Sequence, residues 1–207
     1  MADLEPVVLV GCECTGEIRE ALRALGIPVI SADLQDATDG SPFHVVGDMF
    51  EVYERYKASI RCVIANPPST YLNQGGLQLN KRDPERREKT AAALAFVNRI
   101  FELPVPMLCV LNVVGCIASR IQKPSQYIQP YEFGDDAFRK MGLWLRGLPT
   151  LGATLYCPPR TTASGAKRWA NQTDAGNIRS PCESPRTFAG IAIAMAIQWS
   201  PFIKSSS

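Results

Sequence analysis

One histidine, His44, stands in the whole chain of 207 residues. That scarcity excludes the common imidazole-based metal sites and leaves any serine or cysteine nucleophile short of its usual base. The seven cysteines do not fill the gap. Cys12 and Cys14 are separated by one residue rather than two, and no second pair follows at zinc-finger spacing. Cys62 and Cys109 sit inside the apolar runs "RCVIA" and "MLCVLN". An odd number of cysteines in such surroundings predicts buried free thiols in a reducing compartment, and no metal. No apolar run reaches the ~18 residues needed to span a membrane, and the opening "MADLEP" is acidic, unlike a signal peptide. A cytoplasmic protein without membrane association is expected. Neither sign of charge dominates, the formal net charge being +2. Composition therefore neither demands nor excludes nucleic acid as a partner.

What is present is ordinary for a folded chain: 46% hydrophobic and 20% charged residues, and a length that favours one three-layer domain. Strand and helix signals alternate. "PVVLVGC" (6–12) is a β-branched apolar run, and "TGEIREALRALG" (15–26) carries helical spacing at Ile18, Leu22 and Leu25, with Thr15 placed to cap it and Gly26 to end it. "IPVISADL" (27–34) predicts a second strand, "HVVGDMF" (44–50) a short third one running into a helix, and "IRCVIA" (60–65) a fourth. Asp83 and Pro84 announce a helix through "AAALAFVNRIF", and "VPMLCVLN" (105–112) a fifth strand. This order predicts a single-domain α/β fold, a mostly parallel sheet with helices on both faces. The domain is expected over 1–200, with an irregular, functional or mobile loop over 150–187 and a flexible tail over 201–207.

In such folds ligands bind beyond the carboxyl ends of the strands, and several telling residues fall there. The turn "GCECTG", Gly11 to Gly16, lets backbone approach a ligand and opens a helix whose amides could meet a carboxylate or phosphate. Glycines at a strand-to-helix turn also have purely structural uses. Asp33 ends the second strand, where it either accepts hydrogen bonds from ribose hydroxyls or caps the next segment. Asp48 follows the third strand, with the same choice between an adenine amino group and a cap. Asn66, Pro67, Pro68 and Ser69 follow the fourth. Taken in order, these positions would grip a nucleoside such as that of S-adenosylmethionine, with loops 11–16, 33–36, 47–49 and 66–76 lining one pocket.

The stretches "CECTGEIREALRALG", "SADL", "VVGD", "IANPPSTYL", "LNVVGCIASRIQKPSQYIQPYEFG", "LWLRGLP" and "RTFAGIAIAMAIQW" run in that order from about residue 8 to residue 199. Together they resemble the small phage-type relatives of DNA cytosine-5 methyltransferases. The resemblance implies a Rossmann-like class I methyltransferase fold and S-adenosylmethionine as cofactor. It places that cofactor against Gly11, Cys12, Glu13, Thr15, Gly16, Asp33 and Asp48, with a helix over Thr187 to Met195 beside it. A substrate base would face the Pro67–Pro68 turn, with Asn66, Ser69 and Asn112 in the catalytic positions.

Four positions depart from the family pattern. Ser69 stands where the family has a nucleophilic cysteine, Leu111 and Val113 where it has a glutamate and a proline on either side of Asn112, and Asp135 where a histidine is usual. Carbon 5 of cytosine is a poor nucleophile, so the family adds a thiolate to carbon 6 while an acid stabilises ring nitrogen 3. An unactivated serine hydroxyl is far weaker, and leucine donates no proton. Chemistry altered from cytosine-5 methylation is expected. On that reading Ser69→Cys restores little activity, and adding Leu111→Glu restores more.

Other readings of "NPPS" stand beside this one. Methyltransferases of exocyclic amines use Asn or Asp, two prolines and an aromatic ring; the ring is missing here, Tyr71 lying two residues beyond Ser69. The motif can also be a rigid turn alone. Basic side chains for a nucleic acid gather at Lys81, Arg82, Arg86 and Arg87, interleaved with acids, and at Arg160, Lys167, Arg168 and Arg179, near Tyr156 and Trp169. The expected partner is DNA at low sequence specificity, since the chain has no room for a separate recognition domain, or a free pyrimidine nucleotide. A catalytically inactive relative that keeps its pocket for binding or regulation is the remaining alternative.

Overall fold

The computed structural model describes residues 7–172 and 187–205. Strands β1 (Val8–Gly11), β2 (Val29–Asp33), β3 (His44–Val46), β4 (Cys62–Ala65), β5 (Met107–Val113), β6 (Gln126–Ile128) and β7 (Met141–Arg146) form one sheet in the order β3-β2-β1-β4-β5-β7-β6. β1 to β5 are parallel where they pair, and β7 runs antiparallel to both β5 and β6. The sheet is therefore mostly parallel, with its order reversing at β1 as in doubly wound nucleotide-binding folds. The expected α/β class is what the chain adopts.

The strands read as continuous apolar runs because both of their faces are buried. Val8 and Val10 enter one core and Leu9 the other; Cys62 and Ile64 alternate in the same way with Val63 and Ala65. Helices α1 (Glu17–Arg23) and α6 (Ala189–Ser205) close the first core with Ile18, Leu22, Ile191, Met195 and Trp199. Helices α2 (Met49–Tyr56), α4 (Pro84–Phe101) and α5 (Cys116–Arg120) close the second with Phe50, Val97 and Ile117. A short helix α3 (Gln74–Leu77) and a small hairpin, β8 (Arg160–Thr161) with β9 (Lys167–Arg168), complete the described elements.

Local signals were honoured at most helix ends. The Asp83 carboxylate accepts from the Arg86 amide at 3.0 Å with Pro84 in the first turn of α4, and Gly26 adopts φ 76° beyond α1. The start of α1 differs. Thr15 does not cap it; its hydroxyl is bonded to the Glu17 carboxylate instead. The buried Glu13 carboxylate caps the helix, accepting from the Ile18 amide at 2.8 Å and the Arg19 amide at 3.2 Å. Its two oxygens accept from one amide each.

The expected flexible tail from 201 begins inside α6, which continues through Pro201 to Ser205 and buries Ile203 in the first core. Burial of that side chain offsets the hydrogen bond that Pro201 cannot donate. The helix expected over Thr187 to Met195 starts at Ala189. Part of the expected irregular loop is the β8–β9 hairpin; positions 173–186, with Arg179, lie outside the described residues. Cys12, Cys62, Cys109, Cys116 and Cys157 are free thiols as expected, whereas Cys14 is disulfide-bonded. Such a bond requires two sulfurs to meet in space, which sequence spacing does not disclose. No described helix is long and apolar enough to cross a membrane.

Candidate functional site

All four loops expected to line a pocket border one cavity of about 940 Å³, within the size range of small-ligand sites. Cys12 comes from the first loop; Asp33, Leu34 and Gln35 from the second; Gly47, Asp48 and Met49 from the third; Pro67, Pro68, Thr70, Tyr71 and Leu72 from the fourth. Ala93 and Phe96 of α4 form a wall. The cavity opens beyond the carboxyl ends of β1, β2, β3 and β4, where parallel strands leave a crevice.

Backbone sterics shape its floor. A Cβ on Gly11 would come within 2.6 Å of the Met49 sulfur, so the glycine allows Met49 to lie across the strand end. Cys12 adopts φ 58°, a left-handed conformation uncommon outside glycine, and its amide donates to the Ala32 carbonyl at 2.8 Å. Burial, with the nearby Asp33 and Asp48 carboxylates, pushes the Cys12 thiol well above its ordinary range, so it offers no thiolate.

Asp33 is 6% exposed, and one of its oxygens accepts from the Gln35 amide at 3.0 Å. Asp48 caps α2, accepting from the Phe50 amide at 2.8 Å. Both nevertheless line the cavity. The two readings of each acid are thus compatible, because a carboxylate has two oxygens and about four acceptor sites. No described lysine or arginine lines the cavity. Such a lining offers acceptors to hydroxyl or amino donors beside the apolar side chains of Leu34, Met49 and Phe96. Leu34 is 78% exposed, which leaves an apolar side chain bare at the cavity lip.

The remaining expected cofactor positions serve the turn. Glu13 is consumed in capping α1, so two of that helix's first amides are closed to any ligand anion. Gly16 has φ 82°, and a Cβ there would strike the Arg19 guanidinium, which is buried against Ser31 and Asp39. Gly11, Glu13, Thr15 and Gly16 do not border the cavity.

The proline turn is anchored from three sides. The Asn66 amide donates to the Gly11 carbonyl at 3.0 Å, and the Asn66 side chain to the Thr187 hydroxyl at 3.3 Å. Asn112 donates to the Pro67 carbonyl at 2.6 Å. Both asparagines are buried, and neither borders the cavity. Ser69 is half-buried, and its carbonyl accepts from the Leu72 and Asn73 amides at 3.0 Å each. Its hydroxyl makes no hydrogen bond among the described residues, and it stands between cavity residues without lining the cavity itself. His44 is no base for it: its ring bonds Ser31 and the Gln35 carbonyl, each at 2.8 Å.

Leu111 also differs from expectation. It is fully buried in the core closed by α1 and α6, and it does not line the cavity. A glutamate there would have to lie in that core, because successive residues of β5 face opposite sides and Asn112 takes the side of the turn. Asp135 accepts from the Gly190 amide at 3.1 Å, at the start of α6; burial raises its carboxyl while that contact and the Ile191 amide lower it.

Sequence reasoning missed Ala93 and Phe96 as cavity residues, for helical spacing marks them only as core. It also missed Gly115. A Cβ there would stand 1.8 Å from the Leu72 carbonyl oxygen, so only glycine lets the 70–73 loop pack on the end of β5.

No protein-family model matches the chain, and no curated protein matches it. Among solved structures it is similar to a candidate DNA modification methyltransferase encoded within an E. coli prophage, at 14% identity over 67% of this chain and 45% of that one, with a TM-score of 0.44. It is also similar to the Dnmt2 methyltransferase of S. pombe, at 16% identity over 67% of this chain and 48% of that one, with a TM-score of 0.42. The chain thus spans about half the length of these two structures.

Proposed function

We propose that the protein is an S-adenosylmethionine-dependent methyltransferase-like protein acting on a nucleobase, in DNA, by chemistry altered from cytosine-5 methylation. One observation carries the reading: Asp33 and Asp48, from the ends of neighbouring strands, share with Pro67 and Pro68 a cavity whose described lining has no lysine or arginine. In this reading Asp33 accepts the ribose hydroxyls, Asp48 the adenine amino group, and Leu34, Met49 and Phe96 cradle the ring. The absence of lysine and arginine from the described lining fits a nucleoside that carries no phosphate and bears a positive sulfonium. Bound there, the cofactor would supply an electrophilic methyl group. The chain's own residues would hold the target base at the Pro67–Pro68 turn, which Asn112 and Asn66 keep rigid.

The Ser69 hydroxyl, without a hydrogen bond among the described residues, and the core-buried Leu111 also favour a second reading, in which the pocket binds without catalysing. Calorimetry with S-adenosylmethionine and its demethylated product tests the shared premise, and absence of binding defeats both readings. Transfer of labelled methyl to DNA, to a dCMP pool or to neither then separates a DNA enzyme, a nucleotide enzyme and a binding protein.

A further inference from the structure

Four aromatic rings gather outside both cores of the fold. Tyr131 stacks on Trp169 with centroids 4.8 Å apart and on Phe138 at 6.1 Å, while Tyr156 meets Tyr131 edge-on at 5.7 Å. None of the four belongs to either core cluster. Phe138 is 43% exposed and Tyr156 61% exposed, while Tyr131 and Trp169 are half-buried among them, so the outer two rings are the most open to a ligand.

Acids and bases both lie near the rings. Asp136 accepts from the Ala170 amide and pairs with Arg160, while Glu132 and Asp135 accept from the Gln129 and Gly190 amides and have no ion pair among the described residues. Lys167 and Arg168, on β9 of the adjoining hairpin, are exposed and have no ion pair among the described residues.

Position completes the case. β6 is parallel to β5 in the sheet, so the segment after Ile128 that carries Tyr131 leaves the same edge as the proline turn after β4. Three strand intervals separate β4 from β6, or ~14 Å at ~4.8 Å per interval. A strand of nucleic acid lying along this edge would touch the rings while one base reached the Pro67–Pro68 turn.

We infer that this aromatic and basic surface, formed by Tyr131, Phe138, Tyr156, Trp169, Lys167 and Arg168, is the docking surface for an unpaired DNA strand. The inference rests on reading the proline turn as the place where a base is presented. Exposed rings accept bases of any sequence, provided those bases are not already stacked and paired within a duplex. A phosphate backbone supplies the complementary charge.

The test is fluorescence polarisation of the full chain with a labelled 16-nucleotide single strand and the matching duplex, without cofactor and over a salt series. The single strand should bind at least tenfold tighter than the duplex. Tyr156→Ala and Phe138→Ala should each weaken single-strand binding about 5-fold or more, the loss expected of one stacked base. Tyr156→Phe, which keeps the ring, should bind as the unaltered protein does. Lys167→Ala with Arg168→Ala should lower the magnitude of the log–log salt slope by about 1.4. Tighter binding of duplex, or single-strand binding indifferent to all these changes, overturns the inference. Calorimetry of S-adenosylmethionine with the same proteins keeps the two readings apart: cofactor binding without strand binding defeats only the docking surface, and strand binding through these rings without cofactor binding defeats only the proposed function.

Discussion

The Asn112 side chain donates to the Pro67 carbonyl across 2.6 Å, tying the end of β5 to the proline turn after β4. The bond is buried, so its loss leaves a carbonyl without water to replace the donor. Asn112→Leu should destabilise the fold by about 1–3 kcal/mol in urea unfolding. Ligand affinity should fall with it, because Pro67 lines the cavity. Unchanged stability would mean that the turn is held by Asn66 alone.

Asp33 and Asp48 should separate under substitution. Asp33→Asn keeps an acceptor for the Gln35 amide, yet removes the charge offered to a ligand's hydroxyls. It should weaken binding of S-adenosylmethionine by about 1–3 kcal/mol by calorimetry, with little change in melting temperature. Asp48→Ala removes the α2 cap as well, costing about 0.5–2 kcal/mol of stability. Asp48→Ser keeps the cap, so a loss of affinity there isolates the role towards the ligand.

Ser69 should form no adduct with DNA containing 5-fluorocytosine, since its hydroxyl has no partner among the described residues to draw off the proton. Ser69→Cys alone should restore little methylation. The structure changes the expectation for Leu111→Glu: the carboxyl would enter the core beside α6, and the variant should lose several kcal/mol of stability, on the order of the ~3–5 typical of an unpaired buried charge. Efficient trapping by the unaltered protein, read on a denaturing gel, would reveal an activating group for Ser69.

Glu13 makes stability depend on pH. Burial raises its carboxyl to about 7, against the lowering effect of the Ile18 and Arg19 amides that it caps. In the unfolded chain a glutamate titrates near ~4.3. The folded value is the higher one, so the folded state holds the proton more tightly. The contribution is fully present below the unfolded pKa and is lost as pH rises through about 7. The loss is on the order of 3 kcal/mol. Denaturation at pH 5 and pH 8 should show a shallower decline in Glu13→Gln than in the unaltered protein. Equal declines would assign the dependence to other groups.

Much of the fold was legible because each strand carries its burial in its own residues. Val8–Val10 and Cys62–Ala65 are apolar on both faces, which marks a buried parallel strand whatever lies around it. Asp83 and Pro84 begin α4 by contacts within one turn, and those too are local.

The four site loops were likewise read correctly as neighbours, because the carboxyl ends of parallel strands share one edge. What each side chain does there was not legible. Glu13, expected against a ligand, faces back onto α1, and Asp33 and Asp48 each bond a local amide while also bordering the cavity. Leu111 and Asn112 are adjacent in sequence, yet one enters the core and the other holds Pro67. Pleating sends neighbours to opposite faces, and only the packed partners on each side fix which residue meets the turn. Phe96 reaches the cavity from a helix whose sequence signals nothing but packing, and Tyr131, Phe138, Tyr156 and Trp169 meet from three separate segments. Sequence determined which residues are buried and which strands run together, since those depend on local period and composition. Tertiary structure alone decided which polar atoms and rings meet, since that depends on contacts between distant parts of the chain.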